Sequence, residues 1–218
     1  MEQMDVKFPF ADNFRLQEAY KALRTNLLFC GQDYRVIMVT SVHENEGKTT
    51  TALSLAQSLT ELGKQVLFID TDMRKSVFAG RYAGVKRLKG LSEVLTGMAK
   101  LSECVFATQN TKLNILPAGK YPPNPVELLG SKYFDAIIKQ AQKGYDYIIV
   151  DTPPLGSVID AAVVAPVCHG AVIVLGDKVR ASDAKSVQQQ LEKTNCKVLG
   201  VVRNFVKHKE SYGYYAYK

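Results

Sequence analysis

Four short stretches of the chain collect residue types that could handle phosphate. The first is Val42-His43-Glu44-Asn45-Glu46-Gly47-Lys48-Thr49. It ends in Gly-Lys-Thr, but Val42 stands where the phosphate-loop pattern G-x-x-x-x-G-K-[ST] begins with glycine. The chemistry survives that loss. Backbone N–H groups at a helix start face an anion, the Lys48 ammonium reaches terminal phosphates, and the Thr49 hydroxyl can join a magnesium shell. Asn45 accepts a left-handed backbone more readily than most residues and can supply the turn that a glycine would. The second stretch is Asp70-Thr71-Asp72-Met73-Arg74, whose two carboxylates suit a hard cation. In the third, Asp151 closes an apolar run before Thr152-Pro153-Pro154, as the magnesium-holding acid of phosphate-loop enzymes does. Singly, each aspartate also reads as a strand-end turn residue and the loop as a polar lead into a capped helix. Jointly they point to a bound nucleotide with magnesium. The fourth stretch is KHKESYGYYAYK at the end, where Tyr212, Tyr214, Tyr215 and Tyr217 put four of the chain's 11 tyrosines in the last seven residues.

These groups need a scaffold, and the hydrophobic pattern supplies one. Runs at 35–41, 65–70, 113–119, 145–151, 171–177 and 198–204 are short, apolar and rich in β-branched residues, as strands buried on both faces are. Helical spacing occupies 14–30, the stretch from Lys48 to a left-handed cap at Gly63, 91–105, 125–143, 157–166 and 182–194. The alternation predicts an α/β fold, a mostly parallel central sheet flanked by helices on both faces. The first two aspartate motifs follow strands, where open α/β sheets bind ligands. We expect one domain over 1–206, led by the amphipathic helix at 14–30, and a tail at 207–218 too poor in aliphatic residues to order itself.

Composition removes several classes. With 46% hydrophobic and 22% charged residues the chain is neither disordered nor collagen-like. No run reaches the roughly 18–20 apolar residues of a membrane span, and MEQMDVKFPF lacks the apolar core of a signal peptide, so a cytoplasmic location is expected. Cys30, Cys104, Cys168 and Cys196 show no C-x-x-C spacing and read as buried thiols. A net charge of +7 favours an acidic partner, but the cations are dispersed, with short concentrations at 81–89 and 207–209, and no nucleic acid is expected.

The loop S-V-H-E-N-E-G-K-T-T, V-L-F-I-D-T-D-M-R-K-S, Y-I-I-V-D-T-P-P and the tyrosine-rich end together resemble the bacterial tyrosine kinases of capsule and exopolysaccharide operons. Nearly the whole chain takes part, including E-A-Y-K-A-L-R-T-N (18–26), L-P-A-G-K-Y-P-P-N-P-V-E-L-L (116–129) and G-V-V-R-N (200–204). The resemblance implies a phosphate-loop fold shared with chromosome-partitioning and septum-placing ATPases. It also implies transfer from ATP, with Mg2+, to tyrosines of the chain's own tail. On this basis Asn45, Glu46, Gly47 and Lys48 surround the phosphates and Thr50 touches the α-phosphate. Thr49 and Asp72 hold magnesium, with Asp151 direct or through water. Asp70 takes the tyrosine proton. Arg74 either faces developing negative charge or forms a structural salt bridge, and Asn204 is a candidate for the adenine edge. Glu18, Lys21 and Arg24 would assemble subunits into a ring. A membrane-spanning activator of the polysaccharide co-polymerase type, with a cytoplasmic tail, and a cognate tyrosine phosphatase are the implied partners, with recruitment to the inner face of the membrane.

Two departures stand out. The family loop usually runs P-G-E-G-K where this chain has Glu44-Asn45-Glu46-Gly47-Lys48, and its helix usually shows E-x-x-R-x-x-R where Lys21 replaces the first arginine. Lysine keeps the charge but not the planar fork. Two other readings compete: a partitioning-type ATPase driven by nucleotide-dependent dimerisation, and a non-catalytic module that docks on a membrane partner. The first usually carries a second lysine early in the loop, absent here, and the intact Lys48, Asp70, Asp72 and Asp151 oppose the second.

Overall fold

The computed structural model describes residues 2–9, 13–84 and 88–206. The tail tyrosines and the middle of the basic 81–89 stretch therefore lie outside the described residues. In chain order the elements are β1 (Gln3–Met4), α1 (Phe14–Phe29), β2 (Val36–Ser41), α2 (Lys48–Thr60), β3 (Val66–Asp70) and α3 (Phe78–Tyr82). Then come α4 (Leu91–Leu95), α5 (Leu101–Cys104), β4 (Phe106–Thr108), β5 (Leu113–Leu116), α6 (Pro125–Leu129) and α7 (Lys132–Ala141). The chain finishes with β6 (Tyr147–Asp151), α8 (Asp160–Val164), β7 (Gly170–Leu175), α9 (Ala181–Glu192) and β8 (Lys197–Arg203).

The strands form one sheet in the order β1-β4-β5-β3-β6-β2-β7-β8. Every neighbouring pair is parallel except β4 and β5. Parallel strands need crossovers, and the crossover helices cover both faces. Helices α1, α2 and α3 bury Leu27, Leu53, Leu59 and Phe78 against Phe68 and Ile149 on one face. On the other, α4, α7, α8 and α9 bury Leu91, Phe134, Val164 and Leu191 against Ile69 and Val150. Strands β2, β3 and β6 are buried at every residue, which explains their unbroken apolar runs.

Because β2 and β3 both flank β6, the segments leaving their carboxyl ends emerge side by side. Asp70 and Asp151 are register partners across β3 and β6, and Val39 of β2 pairs with Asp151. The chain then crosses from β6 past β2 to β7, so the connections diverge at this point, where open sheets hold ligands.

Three expectations are corrected. The helices expected over 91–105 and 125–143 are each broken in two, the first by Gly97 at φ 73 and the second at Gly130–Ser131. The strand expected over 113–119 ends at Leu116. Cys104, Cys168 and Cys196 are buried, but Cys30 at the end of α1 is exposed. Elements β1, β4 and α3, two to five residues long, were not anticipated.

Candidate active site

The loop between β2 and α2 turns by two left-handed residues, Asn45 at φ 63 and Gly47 at φ 84. The φ of Gly47 requires glycine, and a Cβ there would stand 2.1 Å from Asn204 Nδ2 and displace that side chain. The first N–H groups of α2, beginning at Lys48, have no intrahelical acceptor and open onto the loop. Glu46 straps the loop from within: its buried carboxylate accepts from Val42 N at 2.9 Å and His43 N at 3.0 Å. Asn204, just past β8, donates from Nδ2 to the Glu46 carbonyl at 3.0 Å and accepts from Phe205 N at 3.0 Å. In this arrangement both residues hold the loop's shape. Thr50, expected at the α-phosphate, shares a 2.6 Å hydrogen bond with the Tyr82 hydroxyl.

Lys48 leans across the loop to within 3.3 Å of Asp72 Oδ2. Burial works against its charge, but the carboxylates of Asp151, Asp72 and Asp70 outweigh burial and raise its pKa. Asp70 is enclosed, with Oδ1 accepting from Asp72 N at 2.9 Å and Oδ2 from the Ser76 hydroxyl. Burial, then the charge of Asp151, push it up to about 8. Asp151 is raised by burial to about 6, with the Lys48 charge and then the nearby Thr49 hydroxyl pulling the other way. Neither Asp151 oxygen has a hydrogen bond of ordinary geometry. Two buried, unpaired carboxylate oxygens beside Thr49 and Asp72 fit a hard cation. Among the described residues no three acidic, histidine or cysteine side chains converge to hold a metal alone. Magnesium takes one or two carboxylates and completes its shell with phosphate oxygens and water.

In front of Lys48 a cleft of about 220 Å3 opens between the loop, the turn carrying Asp72 and Arg74, and the segment from Pro153 to Val158. Asp72 lines it and Asp70 stands behind. Arg74 forms the structural salt bridge allowed for it: Nε lies 2.9 Å from Asp160 Oδ2, and Asp160 is wholly buried at the start of α8. Asp160 and Ser76 escaped the reading of the sequence. Asp160 is 86 positions from Arg74, and its one local signal is an acid in the first turn of a short helix. Away from the cleft, Glu18 and Lys21 pair with each other at 2.7 Å on the exposed side of α1. Arg24 is instead turned inward onto α2, donating to the Ser58 carbonyl and pairing with Glu61 at 3.0 Å.

Residues 34–183 match the family described as AAA domain. The tyrosine-protein kinase CpsD of Streptococcus agalactiae is 39% identical over 193 residues, covering 88% of this chain and 84% of that one. The kinase domain of the Escherichia coli tyrosine kinase ETK superposes with a TM-score of 0.87 at 31% identity, over 97% of this chain and 85% of that one. The septum site-determining protein MinD of Pyrococcus horikoshii, solved with Mg-ADP, gives a TM-score of 0.66 at 28% identity over 77% of this chain and 68% of its own. A phosphate loop strapped by Glu46, a lysine among three buried aspartates and these likenesses agree: the chain belongs to the bacterial tyrosine-protein kinases, on an AAA domain.

Proposed function

We propose that this cleft transfers the γ-phosphoryl group of ATP to tyrosine hydroxyls, among them Tyr212, Tyr214, Tyr215 and Tyr217 of a second copy of the chain. The observation that carries the reading is Lys48, held charged between Asp72 and Asp151 at the mouth of a helix N-terminus. Phosphoryl transfer asks the protein for position and charge stabilisation more than for covalent chemistry. The α2 N–H groups and Lys48 hold the terminal phosphates. Thr49, Asp72 and Asp151 would hold magnesium, which would supply neutralising charge to the phosphates. The phenol oxygen attacks the γ-phosphorus, the bond to the β,γ-bridging oxygen breaks, and ADP departs with the electron pair.

The phenol proton goes to Asp70. Burial raises that carboxyl to about 8, so it accepts the proton only in its ionised form, which is the minority below pH 8, and transfer should speed up as pH rises toward that value. Its Oδ2 accepts from the Ser76 hydroxyl, which helps to hold it in place. Exopolysaccharide or capsule assembly is the setting, at the inner face of the membrane. A membrane-spanning activator with a cytoplasmic tail completes the site, and a cognate tyrosine phosphatase resets the tail. No helix among the described residues is long and apolar enough to cross a membrane. Nucleic acid has no part in this scheme.

Lys48→Met is the test. With the fold retained by circular dichroism, phosphotyrosine formed from ATP and magnesium should fall at least about a hundredfold, the usual loss when one charge-stabilising group leaves a transition state. Unchanged phosphotyrosine would remove this loop from the mechanism.

A further inference from the structure

Beyond Lys48 and Asp72 the cleft changes character. Val77, Pro153, Pro154 and Val158 give it an apolar part, with Ser157 beside them and Glu44, Arg74 and Lys75 also on the lining. Phosphates make no use of such a surface. The proline segment is also fixed in place. Thr40 Oγ1 donates to the Pro153 carbonyl at 3.1 Å, and Leu155 N to Ser41 O at 2.9 Å, tying the segment to β2. Ser157 N and Val158 N both donate to Pro154 O. The prolines have no N–H and their carbonyls are engaged in these bonds, so the part of each that borders the cleft is its ring carbon. Val77, which is 37% exposed, sits at the N-terminus of α3, and α3 is anchored by the buried Phe78 against Phe68. Apolar surface from two separate segments thus lines the same cleft as Lys48 and Asp72.

We infer that Val77, Pro153, Pro154 and Val158 form a subsite for the ring of the acceptor residue, and that this subsite makes the cleft select tyrosine over serine or threonine. The inference rests on the transfer reading above and names the feature of the acceptor that the site measures. Covalent geometry gives the first reason: a phenol oxygen stands about 6.5 Å from its Cα, whereas a serine hydroxyl stands about 2.4 Å away. A tyrosine can place its oxygen beside Lys48 and Asp72 with its backbone outside the cleft. A serine would have to draw its backbone into it, leaving peptide groups unpaired against proline and valine. The second reason is the chemistry of the apolar lining. A ring edge or face covers the exposed carbon of Val77 and of the half-buried Val158, while a short hydroxylated side chain covers almost none of it. The tail segment SYGYYAYK offers four such rings, with only Gly213 and Ala216 between them, so apart from the adjacent Tyr214 and Tyr215 the intervening side chains are small.

Binding and transfer should be measured separately on the full chain. Labelled peptides carrying the sequence of residues 210–218 with a single acceptor, as tyrosine, phenylalanine or serine, are titrated in the presence of magnesium and a non-hydrolysable ATP analogue. Fluorescence anisotropy reads the binding. Tyrosine and phenylalanine peptides should bind within about threefold of each other and at least about tenfold tighter than the serine peptide, the size expected for burying much of one ring. Val77→Phe, which fills the cleft from inside, and Val158→Asp, which charges its apolar lining, should each remove most of that difference. Equal affinity of all three peptides for the wild-type protein overturns the subsite, and because it needs no variant, a misfolded mutant cannot obscure it. Ring preference kept by both folded variants overturns these residues as its source. Ring-selective binding with no transfer to the tyrosine peptide from ATP would leave the subsite standing and refute the transfer reading instead.

Discussion

Asp160 has one carboxylate oxygen on Arg74 and the other buried without a partner, so its charge depends on a single guanidinium. Removing Arg74 would strand that charge. Since Arg74 itself is about a third exposed, screening reduces the penalty, and Arg74→Ala should lower unfolding free energy by about 1–3 kcal/mol. Urea denaturation checks this, and a loss under about 0.5 kcal/mol would mean the pair holds nothing in place. Asp70 and Asp151 bear on stability in another way. Both are raised above the ordinary value near 4, to about 8 and about 6, first by burial. Between those values and 4 the folded chain binds more protons than the unfolded one, so their contribution is fully present below about pH 4 and is lost as pH rises through 6 and 8. The nucleotide-free protein should therefore melt at progressively lower temperature from about pH 5 to 8.5, and Asp70→Asn should flatten that slope. Parallel curves for wild type and variant, measured by calorimetry, would show that the carboxyl titrates normally. Every residue of the three motifs could be picked out from the chain because type and local spacing mark them. Asp160 could not, because packing brings it to Arg74 from 86 positions away, while Ser76, six positions from Asp70, lies inside the motif but carries no residue-type signal of its role.

The elements that position the site were legible where sequence and burial share a period. β2, β3 and β6 show as apolar runs because helices cover both faces, and α2 shows because a glycine-lysine-threonine start follows one such run. Pieces of two to five residues, such as β1, β4 and α3, are too short to display a period, and they exist because neighbours satisfy their backbone groups. The breaks at Gly97 and at Gly130–Ser131 were readable in principle, since glycine or serine interrupts otherwise helical spacing at each. Asn45 was read as a stand-in for the missing loop glycine, and its φ of 63 bears this out. Asn45→Gly should accordingly keep ATP affinity and stability within a few tenths of a kcal/mol. Asn45→Ala should cost about 1 kcal/mol, the penalty for an ordinary side chain in that region. Equal effects of the two, by nucleotide titration and urea melts, would show that the asparagine side chain matters and the backbone angle does not. Asn204→Ala should loosen the loop from the other side, weakening ATP binding without altering transfer once the site is saturated.

The last described residue, Val206, stands two positions beyond Asn204, which clasps the phosphate loop. Twelve further residues span at most about 40 Å, which reaches a neighbour's cleft as readily as the chain's own. Reach alone does not choose between them. We propose that assembly does: Arg24 is committed to α2 within its own subunit, and Glu18 and Lys21, which pair with each other, are the motif residues left exposed for a second copy. Exposed ion pairs are worth at most about 1 kcal/mol each, so a ring held by such contacts should be easily undone. Residues 207–218 start with three lysines against one glutamate, and each phosphate adds about −1.5 to −2 charges. Four phosphates would turn a slightly basic tail strongly acidic and set neighbouring tails against one another. Transfer between subunits should thus dissolve the assembly that permits it. Mixing a Lys48→Met chain with an active chain lacking 207–218 isolates the step, because only the inactive partner carries acceptors. Phosphotyrosine must appear on the Lys48→Met chain, and the mass measured by light scattering must fall as it does. Failure of phosphate to cross, or an assembly whose mass ignores it, would refute the scheme.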